Sequence, residues 1–518
     1  MSSTALLSGL TAFTIAAGSA TARPGPYIPP AQVVARVDRF AITAADLLES
    51  YEFGPAFIKR GSDPLREHLE YMINERLLAL HAERDRLDST HFVMARVHAI
   101  EEDLAVDQLY YDDILARVRV SDAEIDTASE KARVRLGLTW LYVRTWDGAE
   151  RLSRALSRGA PFDSLMKTMG EGLPPAERTT ETTLLGLETN TPELAQSVAR
   201  LKTGQISAPV RGPDGYYIVR LDRVWRNPLE TESEQARLRG DAGRTLRDAR
   251  ARILGDEYVK TMMKAANPVI RAGGFNILRA YLAEQGLSRD MRLKWKIPAT
   301  FMTEAGPRPI SRAGEFLHAT LVQFAGRTMT VKEYLDWFDI RQFQLRRTSL
   351  DAFNSSVKQT VWKMVQDRLL SERAYERGLQ RRDAVHREAA RWDAKLLYLA
   401  TREQIRRSVT VSDSLVRQEF KSHRGRYRDT AGRPAGFEAV RSDIRRELAA
   451  QKENELLFRL LRRLRDEFPV TVDETAVRSL AAGLQPDRQA IDVMLYKPGG
   501  TFPRVAFPSI DERWQNLP

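Results

Sequence analysis

Residues 201–221 read LKTGQISAPVRGPDGYYIVRL, and this stretch decides the fold of the middle of the chain. Leu201-Lys-Thr-Gly204 closes a helix on glycine, which takes the left-handed C-cap conformation without a Cβ clash. Ile206 to Val210 is extended, Pro213-Asp-Gly215 is a turn, and Tyr216 to Leu221 is a run of β-formers, so the segment is a hairpin. Working toward the N-terminus, Pro192 to Leu201 reads as a helix and Leu184-Leu185-Gly186-Leu187 as a short extended run. Residues 170–182 form a Gly/Pro/Thr loop, and Pro161-Phe162-Asp163 starts a helix. Ala149 to Arg158 is a helix broken by Gly159, and Leu138-Thr-Trp140-Leu-Tyr-Val143 is a strand.

In order and spacing, Gly159-Ala-Pro-Phe162-Asp-Ser-Leu165, Leu185-Gly186, Leu201 to Val210 and Gly215-Tyr216-Tyr217-Ile218-Val219 resemble the parvulin (PpiC-type) rotamase domain. The resemblance implies a four-stranded antiparallel sheet with helices, and rotation about X-Pro bonds as the activity. That rotation has a barrier of about 18–20 kcal/mol. A site lowers it by binding the twisted amide better than the planar one. The family places two histidines on central strands with an Asp or Cys nearby. The implied positions here are Trp140, Tyr217 and about Gly172, beside Glu171. All seven histidines lie outside residues 134–225. Of the implied proline pocket, Leu185 and Leu194 match, while Asn190 stands where an apolar residue is usual. Two readings of Trp140 and Tyr217 stay open: core packing on a sheet, or a retained groove for extended peptides with Tyr217 donating a hydrogen bond.

The flanking sequence is duplicated. Met72-Ile-Asn-Glu-Arg-Leu-Leu78 recurs as Met364-Val-Gln-Asp-Arg-Leu-Leu370, Ile42-Thr43-Ala-Ala-Asp46 as Met329-Thr330-Val-Lys-Glu333, and Val118-Arg-Val-Ser-Asp122 as Val409-Thr-Val-Ser-Asp413. Three collinear matches at a nearly constant offset mark one repeated unit: strand, capped helix, long amphipathic helix, further helices. Each copy ends on a long helix followed by a Pro-Val element, Asn267-Pro268-Val269-Ile270 and Phe468-Pro469-Val470-Thr471. The unit looks like that of SurA and related exported parvulin chaperones, and only the first copy carries the inserted domain. The predicted fold class is α+β, mainly α: two SurA-like helical units in tandem with one α/β parvulin-like domain inserted in the first. The expected division is a signal peptide at 1–22, a Pro-rich linker at 23–32, copy 1 at 33–130, the parvulin-like domain at 131–226 and its closing helix at 227–272. A connector at 273–317, copy 2 at 318–475 and a tail at 476–518 complete it. The tail has no strong pattern and reads either as unstructured or as docked on a groove.

Ala5 to Gly18 is uncharged and mildly apolar, and Ala20-x-Ala22 suits a cleavage site, although no Lys or Arg precedes the run. Export to the periplasm is expected. No later stretch is apolar enough to span a bilayer. The chain has no cysteine, which excludes disulfides, thiolate metal sites and a Cys nucleophile. Its net charge of +11 comes from 80 basic residues interleaved with 69 acidic ones, which reads as solvated helix faces. No nucleic-acid partner is expected. His81, His91 and His98 lack metal-ligand spacing, so no metal and no cofactor is expected. Three functions remain in play. The first is a holdase for unfolded or nascent exported proteins, outer-membrane β-barrels among them, with Met72, Met94, Met262, Met263 and Met364 either packed in cores or lining a cradle. The second is an active prolyl isomerase built around Tyr217. The third is a dimeric assembly scaffold.

Overall fold

The computed structural model describes residues 28–168, 177–212, 214–228, 231–298, 300–303, 306–309, 314–428, 433–484, 501–503, 505 and 507–516. The expected signal segment 1–22, Glu171, Gly172 and Pro213 lie outside the described residues.

The first copy of the repeat opens with β1 (Val33–Val37), β2 (Phe40–Thr43), α1 (Ala44–Glu52), α2 (Pro64–Arg84) and α3 (His91–Asp113). Next come α4 (Asp122–Arg133), β3 (Val134–Val143), α5 (Trp146–Ser157), α6 (Phe162–Thr168), β4 (Thr179–Thr183), α7 (Leu184–Asn190), α8 (Pro192–Val198), β5 (Val210–Arg211) and β6 (Tyr216–Arg226). The long α9 (Glu232–Ala266) leads to β7 (Val269–Ile270), α10 (Ala272–Gly286), α11 (Arg289–Lys294) and the hairpin of β8 (Thr300–Thr303) and β9 (Gly306–Pro309). The second copy runs through β10 (Thr320–Phe324), β11 (Arg327–Thr330), α12 (Val331–Arg341), α13 (Leu350–Glu376), α14 (Asp383–Ser408), α15 (Asp413–Ser422), α16 (Phe437–Glu467), β12 (Val470–Val472) and α17 (Glu474–Gly483). The fold is α+β and mainly α.

Local chemistry explains the repeated starts. Thr43 caps α1, Ser121 caps α4 and Thr330 caps α12, each in a reciprocal capping box with the acid three residues on. The segment Leu184–Leu187, expected to be extended, is instead the first turn of α7. Thr183 accepts there from the Gly186 amide at 3.0 Å. A four-residue apolar run does not distinguish a strand from a buried helical turn, and the Thr cap decides it.

The chain divides into two compact units. Tyr111–Tyr258 form one; the described residues up to Tyr110 and from Val259 onward form the other. In the first, the antiparallel sheet has the order β4-β3-β6-β5. One face, bearing Leu136, Leu138, Trp140, Tyr142, Tyr217 and Val219, packs on α7 and α8. The other, bearing Leu141, Val143 and Ile218, packs on α5 and α6.

The second unit holds both copies, and they exchange closing strands. β1 and β2 form a sheet whose third strand is β12, from the end of copy 2. β10 and β11 form a sheet whose third strand is β7, from the end of copy 1. The cores follow the exchange. Leu65, Leu69, Ile73 and Leu77 of α2 are buried with Tyr398 of α14 and Leu457, Leu461 and Leu464 of α16. Met262, Met263 and Ala266 of α9 pack with Leu321, Tyr334, Val357 and Val361. Each hairpin thus buries its apolar face only when the other copy supplies the closing segment, by the hydrophobic burial that drives any fold. Met72 and Met364 lie inside these cores, whereas Met94 is 59% exposed. Among the described residues no helix is long and apolar enough to cross a membrane.

Candidate functional site

Trp140 and Tyr217 come from adjacent central strands and lie on the same face of the sheet. Their register pairs Trp140 with Val219 and Tyr142 with Tyr217. Alternation along a strand puts residues 140 and 142 on one side, and 217 and 219 with them. Trp140 is 3% exposed and Tyr217 is fully buried. The rings of Tyr142 and Tyr217 meet at 5.1 Å with 51° between their planes, a tilted aromatic pair.

Both phenols are tied to one residue. Tyr217 donates to Asp214 Oδ1 at 2.9 Å, and Tyr142 donates to the Asp214 carbonyl at 2.7 Å. Burial, reinforced by the bond to Asp214, pushes the Tyr217 hydroxyl far above the usual phenol range, so it stays protonated. Two glycines make room for the rings. A Cβ at Gly212 would stand 2.6 Å from the Tyr217 ring, and one at Gly215 would stand 2.7 Å from the Tyr142 ring. Ser207 fastens the edge of this face, donating its amide to the Val219 carbonyl at 2.8 Å and accepting from the Val219 amide at 2.9 Å.

The implied pocket residues do not gather around this pair. Leu194 does pack in the same cluster as Trp140 and Tyr217. Leu185 packs elsewhere, against Ala128 of α4 and Ala242 of α9. Leu187, two residues on, is the one that faces the ring pair's cluster. Asn190 ends α7 and is exposed, with its side-chain amide donating back to the Gly186 carbonyl at 2.8 Å. The Gly172 position lies outside the described residues. Sequence pattern does not single out Asp214 or Ser207, because their partners Tyr217 and Val219 are set by how the hairpin folds back on itself.

The opposite face carries a polar network. Thr139 donates to Asp222 at 2.6 Å and shares a bond with Thr179 at 3.1 Å. Arg220 reaches Asp222 at 2.6 Å and Asp163 at 3.0 Å, with its guanidinium 4.8 Å from the Phe162 ring centre. This network fastens α6 to the sheet; each of its charges has an opposite partner. Among the described residues no group of His, Cys, Asp or Glu is placed to hold a metal ion.

The ring pair offers no imidazole to share a proton. A buried neutral phenol already bonded to a carboxylate is a donor with its proton committed. The face is chemically a packed core with one polar stitch.

Residues 124–237 match the family model described as a PPIC-type PPIase domain. The foldase protein PrsA 2 of Bacillus anthracis is 28% identical over 121 residues, which is 23% of this chain and 41% of that protein. The match therefore spans well under half the length of this curated relative. Among solved structures, the peptidylprolyl isomerase PrsA of Bacillus anthracis is similar at 24% identity over 29% of this chain and 65% of that one, with a TM-score of 0.22. A structure from Campylobacter jejuni, from work describing PEB4 and Cj1289 as SurA-like chaperones, is similar at 15% identity over 45% of this chain and 98% of that one, with a TM-score of 0.19. Residues 124–237 are thus similar to a PPIC-type PPIase domain, and Trp140 and Tyr217, the positions the resemblance implies for its two histidines, lie within the matched residues.

Proposed function

We propose that this protein is an exported, periplasmic chaperone of the SurA and PrsA kind, which binds unfolded proteins, outer-membrane β-barrels among them, with weak or no prolyl isomerase activity. One observation carries the reading. The two positions that would hold the histidine pair are a buried Trp140 and a buried Tyr217 whose hydroxyl is bonded to Asp214. Preferential binding of a twisted amide needs donors aimed into an open site, and here the donor points into the protein. The PPIC-type domain then serves as a module for holding chains. The signal-like run at 5–18 and the match to a foldase support export and a folding role.

The test pairs two assays on the full chain: protease-coupled isomerisation of a short X-Pro peptide, and suppression of aggregation of an unfolded outer-membrane protein. Suppression with isomerisation at the uncatalysed rate is the expected result. Clear isomerisation that Tyr217→Phe abolishes would replace this reading with an enzyme built around the phenol.

A further inference from the structure

Residues 501–503, 505 and 507–516 lie on the second unit as a bound peptide would. Apart from a short 3-10 turn at Glu512–Asn516, the segment has no helix and pairs with no strand among the described residues. It is held by side chains of the groove instead. Trp514 is 2% exposed and sits between two rings, Tyr71 at 5.8 Å and Tyr398 at 6.1 Å, both near-parallel to it. Its indole Nε1 donates to Glu75 Oε1 at 3.1 Å. The same oxygen accepts from the Asp511 backbone amide at 3.1 Å and from Lys395 at 2.7 Å. The Asp511 carboxylate accepts from the Tyr398 hydroxyl at 2.8 Å and lies 3.6 Å from Arg402. Farther along, Lys363 donates to the Thr501 carbonyl at 3.2 Å, and Gln366 bonds the same carbonyl.

Two features set this apart from an ordinary core element. The slot's floor is polar: without the segment, Glu75 would keep Lys395 and lose two N–H donors, a peptide amide and an indole. A buried carboxylate left with fewer donors is a strong acceptor for any chain that restores them. The fit is also incomplete. A pocket of about 40 Å³, partly open to solvent, remains between Phe507, Pro508 and Ile510 on the segment and Asp46, Glu75 and Arg391 beneath it.

We propose that this slot is a peptide-binding site for extended segments that carry an acidic residue three positions before a tryptophan, and that Phe507 to Asn516, with Thr501, are its resident occupant, displaced when a client binds. The proposal rests on the chaperone reading above. Backbone and indole N–H groups give the grip, the tyrosine pair selects the flat side chain, and Arg402 with Tyr398 selects the acid.

The test uses a fluorescein-labelled peptide of sequence VAFPSIDERWQN, residues 505–516, titrated into the full chain and followed by anisotropy. Trp514→Ala vacates the slot; Lys363→Ala with Gln366→Ala loosens the segment without touching the rings. The expected result is binding to Trp514→Ala at least tenfold tighter than to the wild type, an intermediate gain for the double variant, no binding of a peptide with Ala in place of Trp, and displacement by unfolded protein. Equal, weak binding to all three chains overturns the proposal. So does a Trp514→Ala chain that loses cooperative unfolding together with a double variant that binds no better than the wild type, because the segment is then part of the core. Bound peptide that unfolded protein does not displace overturns the client role of the slot. Displacement by unfolded protein in a chain that fails to suppress aggregation counts against the chaperone reading and leaves the slot standing.

Discussion

Lys395 on α14 donates to Glu75 on α2 at 2.7 Å, with both side chains about nine-tenths buried, and the two belong to different copies of the repeat. At the offset that carries Met72 to Met364, their counterparts are Asp103 on α3 and Asp367 on α13. Two carboxylates therefore stand at the positions equivalent to a carboxylate and an ammonium. Arg341 resolves the conflict: it pairs with Asp103 at 2.7 Å and approaches Asp367 at 3.7 Å, while Lys363 meets Asp367 at 3.0 Å.

Removing one partner from such a buried set leaves an uncompensated charge. Lys395→Met is expected to lower stability by about 3–5 kcal/mol, read from urea unfolding. Arg341→Met should cost at least as much at neutral pH, and its deficit should shrink on acidification. Burial already raises Asp103 above the usual carboxylate range, and losing Arg341 raises it further. An acid whose folded pKa is raised binds protons in the folded state first, so stability recovers as pH falls. A deficit that stays constant from pH 7 to pH 4 would contradict this.

His68 gives the opposite slope. It is fully buried on α2, its Nε2 lies 2.9 Å from Ser50 Oγ, and it packs edge-on against Tyr51 at 5.6 Å. Burial first, and then Lys59, depress it from 6.5 to about 3. The folded state therefore stays neutral while the unfolded state takes up a proton below about pH 6.5. Stability from this group is complete above that pH and is lost as pH falls toward 3, by up to about 1.4 kcal/mol per unit. The His68→Gln chain should lose that slope relative to the wild type in parallel unfolding curves from pH 7 to pH 4.

Tyr217→Phe strips the bond to Asp214 from the ring pair and leaves the carboxylate short of a donor. A loss of about 1–3 kcal/mol is expected, with the background rate of X-Pro rotation unchanged. Thermal unfolding and the protease-coupled assay on the same preparation read both outcomes.

Gly274 of α10 lies against β10 so closely that a Cβ would stand 2.2 Å from the Thr320 carbonyl and 2.8 Å from Leu321 Cα. Backbone on the far side cannot rotate away. Gly274→Ala should cost about 1–3 kcal/mol by overpacking, and should speed hydrogen exchange at Arg271, whose amide donates to the Leu321 carbonyl at 2.8 Å.

Much of this structure was legible in residues 201–221 and in the repeat. The hairpin, the sheet it belongs to and the capped helix starts follow from local patterns that tertiary packing did not override. The absence of any histidine from residues 134–225 is also plain from the sequence alone, because it needs only the order of residues. The role of Asp214 was not, since it depends on the rings of Tyr142 and Tyr217 folding back over a turn. Leu185 and Leu187 are a similar case: the helical turn that α7 makes there carries 185 to α4 and α9 and 187 to the sheet, which an extended reading inverts. The exchange of β7 and β12 was hidden for another reason. Amphipathic periodicity says which face of α2 or α16 is buried, and says nothing about which copy buries it.

The exchanged strands set a schedule for synthesis. The ladder that closes β1 depends on residues more than four hundred positions downstream, as the Gln32–Asp473 bond with its separation of 441 shows. A chain emerging N-terminus first exposes the β1–β2 edge until translation is almost finished, while the inserted sheet, whose strands all lie between residues 134 and 226, has every partner near at hand. Loop closure over that span is entropically costly and slow relative to local pairing. The β10–β11 hairpin also finds its closing strand β7 already made, so the N-terminal hairpin alone should stay open to the end, and an interrupted message would yield a product whose first half never closes.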